Sequence, residues 1–293
     1  MNILDDLKLQ FKQGNVLIKL ILINAAIFVA ISLFNLFEYL FNINLGSLAI
    51  INFLSVPSST LKLLEVPWTL ITYNFLHVDF FHILFNLLWF YWFGQLFIHF
   101  IGSKKLVNVY ILGGIAGGLL FIVSYNFFSV FRPVVSEATA MGASASIMAV
   151  VIATSFYRPE HSINLLFFGA VKLKYIAFFT ILIDLLSIPK GNAGGHIAHL
   201  GGALFGYIYI ANYKNGRDIS LWMTRVFDFF KKLFKRKPKM KVTHQRPVDD
   251  LTYNATKLNK QKEIDRILDK IAKGGYESLT KNEKDFLFKT SKE

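Results

Sequence analysis

The chain has 293 residues, of which 54% are hydrophobic and only 17% charged, with 30 Phe and a mean hydropathy of +0.44. A soluble domain of this length carries more charge, about a quarter of its residues, so the composition points to a membrane class. The absence of cysteine excludes disulfides, a thiolate nucleophile and Cys-ligated metals. The net charge is +13, and 21 of the 32 Lys+Arg fall in 214–293. That placement reads as a basic cytoplasmic tail beside a last membrane helix, close to anionic lipid, rather than as a nucleic-acid surface.

A membrane span needs about 20 apolar residues. Residues 1–16 form a charged lead-in with Asp5, Asp6, Lys8 and Lys12. The apolar run after it has no small-residue cleavage site, so the first span is expected to stay as an anchor. Candidate spans follow near 17–37, 80–101, 106–128, 139–157, 173–189 and 194–213, the fourth and fifth being short. Residues 38–79, with Pro57, Pro67 and Trp68, are too polar and broken to span and are expected at the interface. Basic residues favour alternate loops: Lys8, Lys12 and Lys19; Lys104 and Lys105; Arg158, Lys172 and Lys174; then the tail. Six spans with both termini cytoplasmic satisfy that alternation. The domains are therefore 1–16, a membrane domain over 17–213, and a tail over 214–293. In the tail, Ile264, Ile267, Leu268 and Ile271 recur at helical spacing. Gly274-Gly275 breaks that helix, and Thr280-x-x-Glu283 is a capping box for a second one.

Polar residues inside spans carry the chemistry, because they are costly there. The second run holds His82 and Asn86 at i, i+4, on one helix face. The fourth holds Ser144 and the sixth holds His196 and His199. With a cytoplasmic N-terminus, these three runs all enter from the outer side. Their polar residues then share a layer roughly 5–10 Å below that surface, at about 1.5 Å per residue. Gly202 and Gly206, four apart, and Gly142, Ala145, Ser146 and Ala149 are small faces that let the fourth and sixth runs approach. A close crossing brings Ser144 to His199. A serine hydroxyl needs such a base to become a nucleophile. His82, Asn86 and the Ser144 backbone N–H are candidate donors to the oxyanion. Asp184, near the outer end of the fifth run, is considered as a triad acid and given little weight. His77, His82, His196 and His199 lack an accompanying carboxylate or H-E-x-x-H pattern, so neither metal nor cofactor is expected.

Three motifs together resemble the rhomboid family of intramembrane serine proteases: His77-x4-His82-x3-Asn86, Gly142-Ala143-Ser144, and Ala198-His199-x2-Gly202-x3-Gly206. The similarity covers roughly 60–213. It implies an all-α membrane protein, a six-helix bundle with a Ser144/His199 dyad, and His82 and Asn86 at the oxyanion. It further implies endopeptidase activity on transmembrane segments of other membrane proteins, and a prokaryotic inner membrane. Ala145 departs from the motif's second Gly, Thr69 from an Arg after Trp68, and Met148 from an aromatic one turn after the serine. The rival readings are a non-catalytic rhomboid-like protein that binds membrane proteins, and a transporter, for which no internal repeat is seen.

Overall fold

The structure, a computed structural model, describes residue 11 and residues 14–165, 169–234 and 250–290. Most of 1–16, and residues 235–241 of the basic stretch 231–241, lie outside the described residues. The chain divides into two units, 1–234 and 235–293.

In the first unit, α1 spans Val16–Phe41, and the Asn15 side chain caps it by accepting from the Ile18 N–H. Then come α2 (Ser47–Leu54), a short strand β1 (Val56–Pro57), α3 (Thr60–Glu65) and α4 (Thr69–Thr72), which runs into a 3-10 turn at Tyr73–Phe75. The segment expected at the interface is thus a string of short elements. Trp68 anchors it by donating from Nε1 to the Phe53 carbonyl at 3.0 Å. Thr69 turns inward, fully buried, and donates to the Val66 carbonyl.

Helices α5 (Phe80–Phe100) and α6 (Ser103–Phe127) follow. By length and apolarity α1, α5 and α6 are able to cross a membrane. Outward residues such as Leu33, Phe37, Phe81, Phe85, Trp92, Val123 and Phe127 are exposed and apolar, a surface that fits lipid and not water. Next come β2 (Thr139–Ala140) and α7 (Ser144–Tyr157). The fourth apolar run, read as 139–157, is therefore helical only from Ser144. Its first residues are extended because Val56 pairs with Ala140 and Pro57 with Thr139. At 14 residues α7 is about 21 Å long, less than a hydrocarbon core of about 30 Å. It is almost wholly buried, so its neighbours and not lipid surround it. A hairpin of β3 (Ser162–Leu165) and β4 (Gly169–Lys172) precedes α8 (Leu173–Ser187), and α9 (Ala193–Lys214) follows.

The core is the crossing of α6, α7 and α9. A Cβ on Gly202 would stand 2.0 Å from the Ala145 carbonyl oxygen, and one on Gly206 2.4 Å from the Ala149 oxygen. The two backbones therefore touch, as small-xxx-small faces permit. A buried polar chain ties α1 to this core. Asn24 Nδ2 donates to Tyr110 Oη at 3.1 Å, and Tyr110 Oη donates to the Asn74 carbonyl at 3.0 Å. Helix α10 (Leu221–Phe234) also belongs to this unit. Met223 is buried in the core, and Asn108 of α6 donates to Ser220 and Thr224. Composition places the tail from 214, but packing carries the first unit on to Phe234.

The second unit holds α11 (Asp250–Gly274), a 3-10 turn at Tyr276–Ser278 and α12 (Lys281–Thr290). Gly275 turns with φ +73. Glu283 accepts from the Thr280 N–H at 2.8 Å and its hydroxyl at 2.9 Å, and Lys270 reaches the same carboxylate at 2.9 Å.

Candidate active site

Three helix beginnings supply the site. Asp79 caps α5 by accepting from the His82 N–H at 2.7 Å, which fixes His82 in the first turn. Ser144 is the first residue of α7, so its backbone N–H belongs to the unpaired first turn of a helix. His199 lies in the second turn of α9.

Gly142 is the hinge between them. Its φ is +122, and its N–H donates to the Tyr73 carbonyl at 2.9 Å. A Cβ there would stand 2.9 Å from His82 Cε1, 3.1 Å from His82 Nε2 and 3.8 Å from Ser144 Oγ. Both side chains thus close over the bare α-carbon, which combines a left-handed turn with a steric need for glycine. Ser144 is partly exposed. No hydrogen bond joins Ser144 Oγ to His199 among the described residues. Such contacts often tighten only with substrate present.

Asn86 is buried, and its Nδ2 lies 3.1 Å from His77 Nε2. The Ala143 N–H donates to the same His77 nitrogen at 3.3 Å. His77 precedes α5 and is fully buried. Burial first, and then neighbouring His82, push its pKa down to about 4, so it stays neutral and its Nε2 can accept. His77 thus braces the turn that carries Ser144, a role that sequence reasoning did not assign. Asn86 meets the Ala143 N–H on this one His77 nitrogen. Ser146 is fully buried and donates to Asn74 Oδ1 at 2.9 Å, which separates it from the half-open Ser144.

Ala145 fits because Gly117 faces it. A Cβ on Gly117 would come within 2.5 Å of the Ala145 methyl. Met148 packs against the cluster of Ile152, Ala177 and Ala203. The main departure from expectation is Asp184. It is buried near the end of α8, with Oδ1 2.8 Å from His196 Nδ1 and 2.9 Å from His199 Nδ1. A carboxylate does accompany these histidines. The three offered atoms lie within 4.8 Å of one another, close enough for a metal ion to touch all three, although the two hydrogen bonds account for the same closeness.

The rhomboid domain family matches residues 65–215, just over half of the chain. The chain belongs to the rhomboid family. It is an integral membrane protein, mostly helical, whose apolar helices fit that family's fold. It is 28% identical over 212 residues to "RHOMBOID-like protein 12, mitochondrial" of Arabidopsis thaliana, covering 69% of this chain and 60% of that protein. It is 27% identical over 173 residues to "Rhomboid protease GlpG" of Yersinia pseudotuberculosis, covering 58% and 56%. It is also 29% identical over 167 residues to "Presenilin-associated rhomboid-like protein A, mitochondrial" of Danio rerio, covering 54% and 39%. The chain therefore spans 60% or less of the length of these relatives. Residues 247–293 match a separate family of unknown function, DUF6576.

Proposed function

We propose that this rhomboid protein is an intramembrane serine endopeptidase, with Ser144 as nucleophile and His199 as general base. The observation that carries the reading is the contact of the Ala145 carbonyl with Gly202. Ala145 follows Ser144, and Gly202 lies one turn after His199, so the crossing supports a nucleophile and base at one level of the bundle. In the first step His199 Nε2 takes the Ser144 proton as Oγ bonds to the scissile carbonyl carbon. The carbonyl oxygen becomes an oxyanion. His82 and the Ser144 backbone N–H are the donors best sited for it, with Asn86 holding the turn and offering its second amide hydrogen. His199 then gives its proton to the leaving amine, and water reverses the sequence on the acyl-enzyme. The chain's own residues supply every proton transfer in this scheme.

In this reading α1, α5, α6, α7, α8 and α9 are six spans, and both termini lie on the cytoplasmic side. The two short spans, α7 and α8, are helices that start or stop inside the bilayer. Substrates are membrane proteins with a span that unwinds near the outer face, because a helical peptide bond is shielded from attack. The matched relatives include mitochondrion-named proteins and a bacterial one, so the proposal stops at an integral membrane location and names no organelle or cell envelope.

The test is labelling of the detergent-purified full chain with a fluorophosphonate, comparing wild type with Ser144→Ala, Ser146→Ala and His199→Ala. The expected result is labelling lost in Ser144→Ala and His199→Ala and retained in Ser146→Ala. No labelling of any folded form, beside an active rhomboid protease that labels, would refute the reading. It would favour a non-catalytic protein that binds membrane proteins.

A further inference from the structure

We propose that Asp184 is a positioning residue for His199: it holds the ring with its proton on Nδ1, leaving Nε2 free for the Ser144 proton. The inference rests on the Ser144/His199 reading above.

An ionised carboxylate only accepts hydrogen bonds, whereas a neutral imidazole has one donor nitrogen and one acceptor. With Asp184 Oδ1 at 2.9 Å from His199 Nδ1, the ring proton belongs on Nδ1, and the lone pair belongs on Nε2. His196 Nδ1 meets the same oxygen at 2.8 Å from three residues earlier on α9. Two N–H donors converge on one carboxylate oxygen. That matters because the Asp184 side chain is only 7% exposed, in a segment where an unpaired charge is costly. His196 thereby fixes the carboxylate from one side, and the carboxylate fixes His199 from the other. When His199 accepts the serine proton, the positive charge forms beside Asp184. The proton stays on the imidazole until it passes to the leaving amine, and Asp184 is never protonated.

The test compares Asp184→Asn, Asp184→Glu and His196→Ala with wild type in detergent containing EDTA, which removes any metal held by the three side chains. Fluorophosphonate labelling gives a rate and a final stoichiometry, and cleavage of a single-span membrane substrate gives kcat and KM. For Asp184→Asn the expected result is a labelling rate and kcat at least about tenfold lower. Full final stoichiometry and an unchanged KM should accompany that loss. Asp184→Glu should recover part of the rate, and His196→Ala should lose less than Asp184→Asn. A purely structural role would instead lower the stoichiometry at an unchanged rate, and that result would overturn the proposal. So would loss of wild-type labelling in EDTA with recovery on added zinc, which would assign the three side chains to a metal. Histidine nitrogen NMR reads the tautomer without relying on activity, with the His199 signal identified by its loss in His199→Gln. A wild type that fails to label yet keeps Nδ1 of His199 protonated removes the protease reading and leaves the positioning intact. Protonation at Nε2 in the wild type overturns the positioning whatever the activity.

Discussion

Replacing Gly202 by alanine tests the crossing on which the site depends. The added methyl would meet the Ala145 carbonyl oxygen at 2.0 Å, its carbon at 2.8 Å and its Cα at 3.2 Å. An ordinary carbon–oxygen contact is about 3.3 Å or more, so α7 and α9 must part by roughly 1.3 Å to accept it. All three opposing atoms are backbone or fixed to it, so no rotamer change relieves the overlap. Retreat is blocked too, because on its other side α9 abuts α6, where a Cβ on Gly201 would stand 2.7 Å from the Ala116 oxygen. Overpacking of this kind costs about 1–3 kcal/mol, and the upper end applies where backbone meets backbone. For a domain of this size that corresponds to a fall in Tm of roughly 6–12 °C. A displacement of about 1 Å between nucleophile and base lowers the rate on the order of a hundredfold. The assay pairs thermal unfolding in one detergent with the fluorophosphonate labelling rate of the folded fraction. Leu204→Ala, on the lipid-facing side of α9, is the control and should stay within about 0.5 kcal/mol of wild type. An unchanged Tm together with an unchanged labelling rate in Gly202→Ala would show that the crossing does not set the geometry.

Two further predictions concern residues away from the chemistry. Ser146→Ala should destabilise the protein by about 1–3 kcal/mol, because it strips a fully buried Asn74 oxygen of its donor; the folded fraction should label at the wild-type rate, and a slower rate would give Ser146 a part in the reaction. In the second unit, the hydrogen bond from Lys270, and then those from Thr280, hold the Glu283 carboxyl at about 2, below its ordinary 4.5. A depressed carboxylate contributes stability above its unfolded value and loses it as pH falls through the folded one. Hydrogen-exchange protection of the α12 amides in the full chain should therefore weaken between about pH 4.5 and pH 2, and Glu283→Gln should lack that transition. Equal pH dependence in both forms would remove Glu283 from the account.

The long apolar runs were legible because lipid-facing helices advertise themselves in composition. Val16–Phe41, Phe80–Phe100, Ser103–Phe127 and Ala193–Lys214 lie within a few residues of where hydropathy puts them. The meeting of His82 and Ser144 over Gly142 was legible for a related reason: polar residues are too costly in apolar helices to be scattered. What pairing decides was not legible. Thr139 and Ala140 look like the start of an apolar run, but they are extended because of partners near residue 56, far back in the chain. His77 reads as one more histidine before a span. Its function as a brace depends on the Ala143 N–H arriving from the turn before α7, 66 residues on.

Asp184 shows where spacing arguments stop. Twelve and fifteen residues separate it from His196 and His199, well beyond the three- and four-residue pairs of one helix, and a 3-10 segment intervenes. Helix periodicity relates residues three and four apart, so it links His196 to His199 but is silent on the carboxylate. The connection exists only once α8 and α9 fold back on each other. The physical clue was a cost rather than a spacing. A lone acid in an apolar helix must find donors, and the next helix offered two histidines one turn apart. A sequence that places an expensive anion in one apolar helix and paired imidazoles in the next has few economical ways to fold other than bringing them together. The two histidines are tolerated on the same ground: the carboxylate that they stabilise also takes up their own N–H groups.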